Sequence, residues 1–167
     1  MKIPSMLGNF PAPKHNHQHC MATALADAEN SCRRQGIRLT SIRRRILAMI
    51  WQEHRPIKAY ELLDILRQEG MRAAPPTVYR ALEFLLQARL IHRIETLNAF
   101  IGCPSPHVQH TGQFLICQRC GTVAELEDAR IRLAIQSQAE HLGFQIDQHT
   151  IEVRGLCAHC AAAPSEN

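Results

Sequence analysis

Two short cysteine brackets, Cys117-Gln-Arg-Cys120 and Cys157-Ala-His-Cys160, carry the side chains of this chain best suited to bond a metal. A C-x-x-C spacing lets two sulfurs take adjacent vertices of a tetrahedron, and a second bracket completes it, so the four thiolates suit Zn²⁺. The brackets are 36 residues apart, more than a simple zinc ribbon needs. Whatever folds between them must bring its own ends together. A site closed by four thiolates has no position left for substrate, so it serves folding. The rival chemistry, dithiol exchange, requires a thioredoxin-like βαβ setting that the flanking pattern lacks. His159, inside the second bracket, reads as a bystander.

A second constellation is less obvious. His92, Cys103, His110 and Glu125 offer nitrogen, sulfur, nitrogen and oxygen donors, a set fit for Zn²⁺ and poor for Mg²⁺ or Ca²⁺. Taken singly, the plainer roles are stronger: His92 as a surface strand residue, Cys103 as a small buried hydrophobe, Glu125 as a solvated charge. Spacing alone does not select these residues from ten histidines. A third cluster, His15-Asn-His-Gln-His-Cys20, reads as a solvated tail that could instead collect zinc. A zinc enzyme needs an open coordination position and a positioned base. The chain has no HExxH or HxE…CxxC signature, so no catalytic residue is assigned and no enzyme is expected.

These donors must be positioned by a chain of 167 residues, long enough for one domain or two small ones. No run of 18 apolar residues occurs, which excludes a membrane-spanning helix. Pro4, Gly8 and Asn9 interrupt the apolar stretch near the start, a poor signal peptide, so a cytoplasmic protein is expected. In that compartment thiols stay reduced and cysteines bind metal in preference to pairing. The net charge of +4 is uninformative, but its distribution is not. Arg33, Arg34, Arg38 and Arg43 to Arg45 crowd the front half, while Glu125, Glu127, Asp128, Glu140, Asp147 and Glu152 follow later. Only the front half therefore favours a polyanion. The arginines 43 to 45 read either as a solvated face or as a binding strip.

Periodicity outlines the elements. A helix is expected from Ala22 to Gln35, closed by Gly36, and a second after Thr40 or Ser41 with Ile42, Ile46, Met49 and Ile50 along one stripe. A third runs from about Ala59 to Gly70 with Leu62, Leu63 and Leu66 inward. Pro75-Pro-Thr77 opens the fourth, since proline fits a helix's first turn. Leu90–Glu95 and Ala99–Cys103 read as a hairpin, and helices followed by a hairpin describe a winged helix-turn-helix. Beyond the hinge-like Pro104-Ser-Pro106 come strand-like Gln113–Cys117 and Thr122–Glu125, a helix from Asp128 to Leu142, and strand-like Thr150–Arg154. The fold class is α+β, with a second small α/β unit.

In the fourth helix Val78, Ala81, Leu82 and Leu85 share an apolar face, leaving Thr77, Tyr79 and Arg80 near the N-terminal end to project elsewhere. A recognition helix puts its first turns in the major groove, where arginine bridges guanine O6 and N7 and a hydroxyl holds phosphate. An ordinary amphipathic helix with a solvated arginine has the same pattern. Tyr60, at the start of the preceding helix, reads equally as a packing residue or a DNA contact.

From about Ala22 to Ala161 the chain resembles the ferric uptake regulator family, most closely its zinc uptake regulator branch. The residues that carry this are Arg38-Leu-Thr-Ser-Ile-Arg43, Ala59-Tyr-Glu-Leu-Leu-Asp-Ile-Leu66, Pro75-Pro-Thr-Val-Tyr-Arg-Ala-Leu82, Phe114-Leu-Ile-Cys-Gln-Arg-Cys-Gly121 and Gly155-Leu-Cys-Ala-His-Cys160. The resemblance implies a dimeric, zinc-dependent transcriptional repressor that binds palindromic operator DNA and controls zinc-uptake genes. An iron, nickel or peroxide sensor of the same family is the alternative. It implies a winged-helix DNA-binding domain over 22–103 and a dimerisation and metal-binding domain over 112–161; the polar, proline-bearing stretches around them read as a mobile arm over 1–21, a hinge over 104–111 and a tail over 162–167. By motif, Cys117, Cys120, Cys157 and Cys160 match the structural zinc site, and His92, Cys103, His110 and Glu125 the regulatory one, so two Zn²⁺ per chain are expected. Tyr60 and Arg80 match DNA-contacting positions. Departures matter too. Thr111-Gly-Gln-Phe114 stands where iron and peroxide sensors show a His-x-Asp-His run, which weakens the iron alternative, while the Cys103 thiolate favours zinc. Because the length of the stretch before it varies, His107 competes with His110. His149 matches a ligand position of other branches, lacks an evident Asp partner, and reads as structural.

Overall fold

The computed structural model describes residues 17–52, 55–106 and 112–163. The chain divides into two compact units on either side of Val108 and Gln109.

The first unit is built of α1 (His17–Arg34), α2 (Ser41–Ile50), α3 (Ala59–Gln68), α4 (Pro75–Gln87) and the hairpin β1 (Ile91–Ile94) and β2 (Ala99–Gly102). Helix α1 starts at His17, within the stretch 1–21 expected as an arm, and its start has a local cause. Residues 17–21 contain neither proline nor glycine to interrupt it. Helix α3 is closed at its start by Glu61, which accepts from the backbone N–H of Lys58 at 2.7 Å, and is followed by Gly70 at φ 76°. Helix α4 has prolines in its first turn, where no intrahelical donor is needed.

The apolar stripes meet in one core. Leu25, Ala28 and Cys32 of α1 pack with Ile46, Leu47 and Ile50 of α2, Leu62 and Leu66 of α3, and Val78, Leu82 and Leu85 of α4. In the hairpin, Ile91 faces Gly102 and Ile94 faces Ala99 across an antiparallel ladder. A short 3-10 turn over Glu95–Leu97 and Asn98 in the left-handed region close it. Ile57 adds a third short edge by exchanging backbone bonds with Phe100, at 2.9 and 2.8 Å. Helices α2 to α4 carrying the hairpin, with α1 packed against them, make the winged helix-turn-helix that periodicity outlines.

The second unit holds β3 (Gln113–Cys117), β4 (Val123–Glu125), α5 (Ala129–His141), β5 (Ile151–Gly155) and α6 (Ala158–Ala162). Strand β3 lies centrally, antiparallel to β4 and parallel to β5. Helix α5 is the crossover that reaches the far edge, and Asp128 caps it by accepting from the Arg130 N–H at 2.9 Å. The hydrogen bonds from Arg130 hold the Asp128 carboxyl down at about 2. Helix α6 was not anticipated, and it takes up the first residue of the expected tail, Ala162. Among the described residues no helix is long and apolar enough to cross a membrane.

Candidate metal centres and nucleic-acid interface

Parallel pairing of β3 with β5 brings the two brackets together. Cys117 ends β3 opposite Gly155, the end of β5, so Cys157 follows only two residues beyond that rung. The Gln118 N–H donates to the Gly155 carbonyl at 2.8 Å and extends the pairing by one bond. Gly121, at φ 73°, donates to the Cys117 carbonyl at 2.9 Å and turns the first bracket back on itself. Cys157 caps α6, its sulfur accepting from the Cys160 N–H at 3.4 Å.

The resulting arrangement fits Zn²⁺. The sulfurs of Cys117, Cys120, Cys157 and Cys160 all lie within 4.8 Å of one another. Cys120 and Cys157 sulfurs are 3.9 Å apart. Zn–S bonds of about 2.3 Å at tetrahedral angles put sulfurs roughly 3.8 Å apart. Backbone N–H groups point at the sulfurs, as the Cys157 N–H does at Cys117 Sγ at 3.3 Å, and favour the thiolate that a metal needs. Among the described residues no disulfide forms.

The second constellation is placed in parts. His92 lies on β1 and Cys103 directly follows β2. His92 faces Ile101, and Cys103 donates its N–H to the Leu90 carbonyl at 3.1 Å, continuing the ladder. His92 and Cys103 are therefore diagonal neighbours on one face of the hairpin. Their ligand atoms lie within 4.8 Å of each other. The Cys103 side chain is buried and that of His92 half-buried. Glu125 ends β4, opposite Phe114, and is half-buried in the second unit. His110, its competitor His107, and the side chains of the His15/His17/His19/Cys20 cluster lie outside the described residues. His149 is half-buried, and its Nε2 has no hydrogen-bond partner among the described residues.

The DNA-contacting candidates sit at the starts of α3 and α4. Tyr60 and Tyr79 are each 60% exposed, so neither is a packing tyrosine. Arg80 is exposed, its Nε donating to the Pro76 carbonyl one turn back at 3.2 Å. Thr77 is half-buried beside it. The Lys58 ammonium lies 5.8 Å from the Tyr60 ring centre, which adds a cation next to that phenol.

Arg43, Arg44 and Arg45 resolve into three different ties. Arg43 donates to the Arg38 carbonyl at 2.9 Å and stacks on Phe84 of α4 at 3.6 Å. Arg44 pairs with Glu29 of α1 at 2.7 Å. Arg45 makes a two-pronged bond to Glu69, just beyond α3, and this holds the Glu69 carboxyl below its ordinary value. The side chains that read as a solvated face or a binding strip join α2 to its neighbours.

Comparison with known proteins agrees with this architecture. Residues 34–154 match the Ferric uptake regulator family. The zinc uptake regulation protein of Escherichia coli strain K12 is 39% identical over 137 residues, which is 81% of this chain and 80% of that protein. The crystal structure of holo XcZur matches with a TM-score of 0.78 at 46% identity, covering 84% of this chain and 99% of that one. A zinc uptake regulator complexed with zinc and DNA matches with a TM-score of 0.79 at 37% identity, over 89% of this chain and 97% of that one.

Proposed function

The chain belongs to the ferric uptake regulator family, and from that premise we propose that it is a zinc-responsive transcriptional repressor, binding palindromic operator DNA as a zinc-loaded homodimer to repress zinc-uptake genes in the cytoplasm. The observation that carries the zinc reading is the pairing of the Cys103 thiol with the His92 imidazole on one face of the wing. A thiolate beside an imidazole selects a softer ion than an all-oxygen or oxygen-and-imidazole set does. The similar Escherichia coli protein regulates zinc uptake, and a similar regulator has been solved with zinc and DNA, which supports the same assignment here.

Two zinc ions per chain have different tasks in this account. Cys117, Cys120, Cys157 and Cys160 hold one that staples β3 to the start of α6 and is retained. His92, Cys103, His110 and Glu125 hold the other, which comes and goes with supply. When bound, that ion would accept electron pairs from up to four ligands, with His92 and Cys103 anchoring it to the wing. Tyr60, Thr77, Tyr79 and Arg80 contact the operator, Arg80 with the planar fork that suits guanine and Tyr60 and Thr77 through hydroxyls. Zinc acts as co-repressor to the extent that the DNA-binding arrangement binds it more tightly than the alternatives do.

A mobility-shift titration of operator DNA in buffered zinc tests the gating. Wild type is expected to bind only once zinc is supplied, and His92→Ala or Cys103→Ser to need far more. Either variant binding without zinc as well as wild type binds with it would refute the regulatory assignment.

A further inference from the structure

Arg119 lies inside the first bracket, between Cys117 and Cys120. Its Nη1 donates to the Cys160 carbonyl and, at 3.2 Å, to the Ala163 carbonyl. One side chain of the first bracket thus grips the end of the short helix that carries the second. The last carbonyls of a helix have no N–H partner within it, so a donor arriving there meets open acceptors. Among the described residues, backbone N–H groups tie the first bracket to the near side of the second, Gln118 to the Gly155 carbonyl and Cys157 to the Cys117 sulfur. Arg119 reaches the far end, past Cys160. Charge points the same way. Four thiolates around a dication leave an excess of two negative charges, and a guanidinium stays protonated at every relevant pH.

We infer that Arg119 is a positioning residue of the four-cysteine centre, its guanidinium holding the second bracket against the first and offsetting the excess charge, so that zinc leaves slowly. This rests on the assignment of that centre as the retained zinc site. Partners one shell beyond metal ligands govern affinity by about 10- to 100-fold. Lysine keeps the charge but not the planar fork, so it should recover part of the effect.

The test uses the full chain loaded with one metal per chain. Cobalt substitution reports where the ion sits, since four thiolates give intense sulfur-to-metal charge-transfer bands. Zinc transfer to a chromogenic chelator reports its release. Arg119→Ala is expected to keep the four-sulfur cobalt spectrum yet release zinc at least about 10-fold faster, with Arg119→Lys between it and wild type. Release from Arg119→Ala within about twofold of wild type would overturn the inference, as would faster release seen only together with a lost four-sulfur spectrum. A wild-type chain without that spectrum would remove the centre itself, a failure separable from that of Arg119 alone.

Discussion

Cys117, Cys120 and Cys160 differ in how readily they give up a proton. Burial pushes the Cys117 thiol up, but the backbone N–H groups of Cys120, Cys157 and Arg119 outweigh it and bring the value down to about 6. Thr122 is the main cause that lowers Cys120. Burial, reinforced by the neighbouring sulfurs, pushes Cys160 up to about 12. A thiolate therefore waits at Cys117 at neutral pH before any metal arrives. Zinc binding to the metal-free protein at pH 7.5 should release fewer protons than four neutral thiols would yield. At pH 5 the release should rise, because Cys117 regains its proton below about 6. The sign for folding follows: a value depressed from 9.0 stabilises the fold above the unfolded value, and that share is lost as pH falls through about 6. Calorimetry in buffers of differing ionisation enthalpy counts the protons. Equal release at the two pH values would contradict the assignment. The four cysteines were legible in their spacing, but the inequality among them was not, because it depends on which backbone N–H groups fold against which sulfur.

Between elements, the contacts that matter join residues far apart in the chain. Arg44 and Glu29 are 15 positions apart, Arg45 and Glu69 are 24 apart, and neither pair forms a pattern a helix period reveals. Exposed ion pairs of this kind contribute little to stability, and their value here is in orienting α2. The wing base offers a sharper case. A Cβ on Gly102 would lie 2.2 Å from Trp51 Cε2, so the indole at the end of α2 lies directly on that glycine. Gly102→Ala should force strand or indole to move, at a cost of about 1–3 kcal/mol, lowering the urea midpoint of unfolding. Trp51 is the one tryptophan of the chain, so its emission reports the displacement directly. An unchanged midpoint and spectrum would mean that the contact relaxes without cost. The same substitution sits next to Cys103, so it should also disturb the His92–Cys103 pair. The hairpin was legible from two short apolar runs around Thr96-Leu-Asn98. The left-handed Arg89, at φ 57° after α4, was not, because glycine is the residue that normally marks such a position.

For the whole molecule, the second unit has more apolar surface than it covers. Among its described residues α5 buries none of its own, while Leu133, Leu142, Phe144, Val153 and Leu156 are half exposed or more. Such a surface on an antiparallel-plus-crossover sheet suits a second copy related by a twofold axis, the symmetry that a palindromic operator also has. Phe144→Glu, at a position 65% exposed, is expected to leave the fold intact, shift sedimentation from dimer to monomer and weaken operator binding. A variant that remains dimeric would reject this surface as the interface.

What the sequence determined by itself was everything written within a few residues: the helix stripes, the proline-led fourth helix, the hairpin, and two brackets shaped for one metal. Those follow from periods of 3.6 and 2 and from the reach of a C-x-x-C turn, which are local properties. His92 and Cys103 lay beyond that reach; donor type narrowed the choice, and only the resemblance picked them from the other histidines. The tertiary structure alone decided the rest. It set the diagonal approach of His92 to Cys103, the partners of three consecutive arginines, the proton affinities of Cys117, Cys120 and Cys160, and the grip of Arg119 on a carbonyl 44 residues away. Each depends on burial and on chain segments meeting in space, and neither is encoded at any fixed spacing.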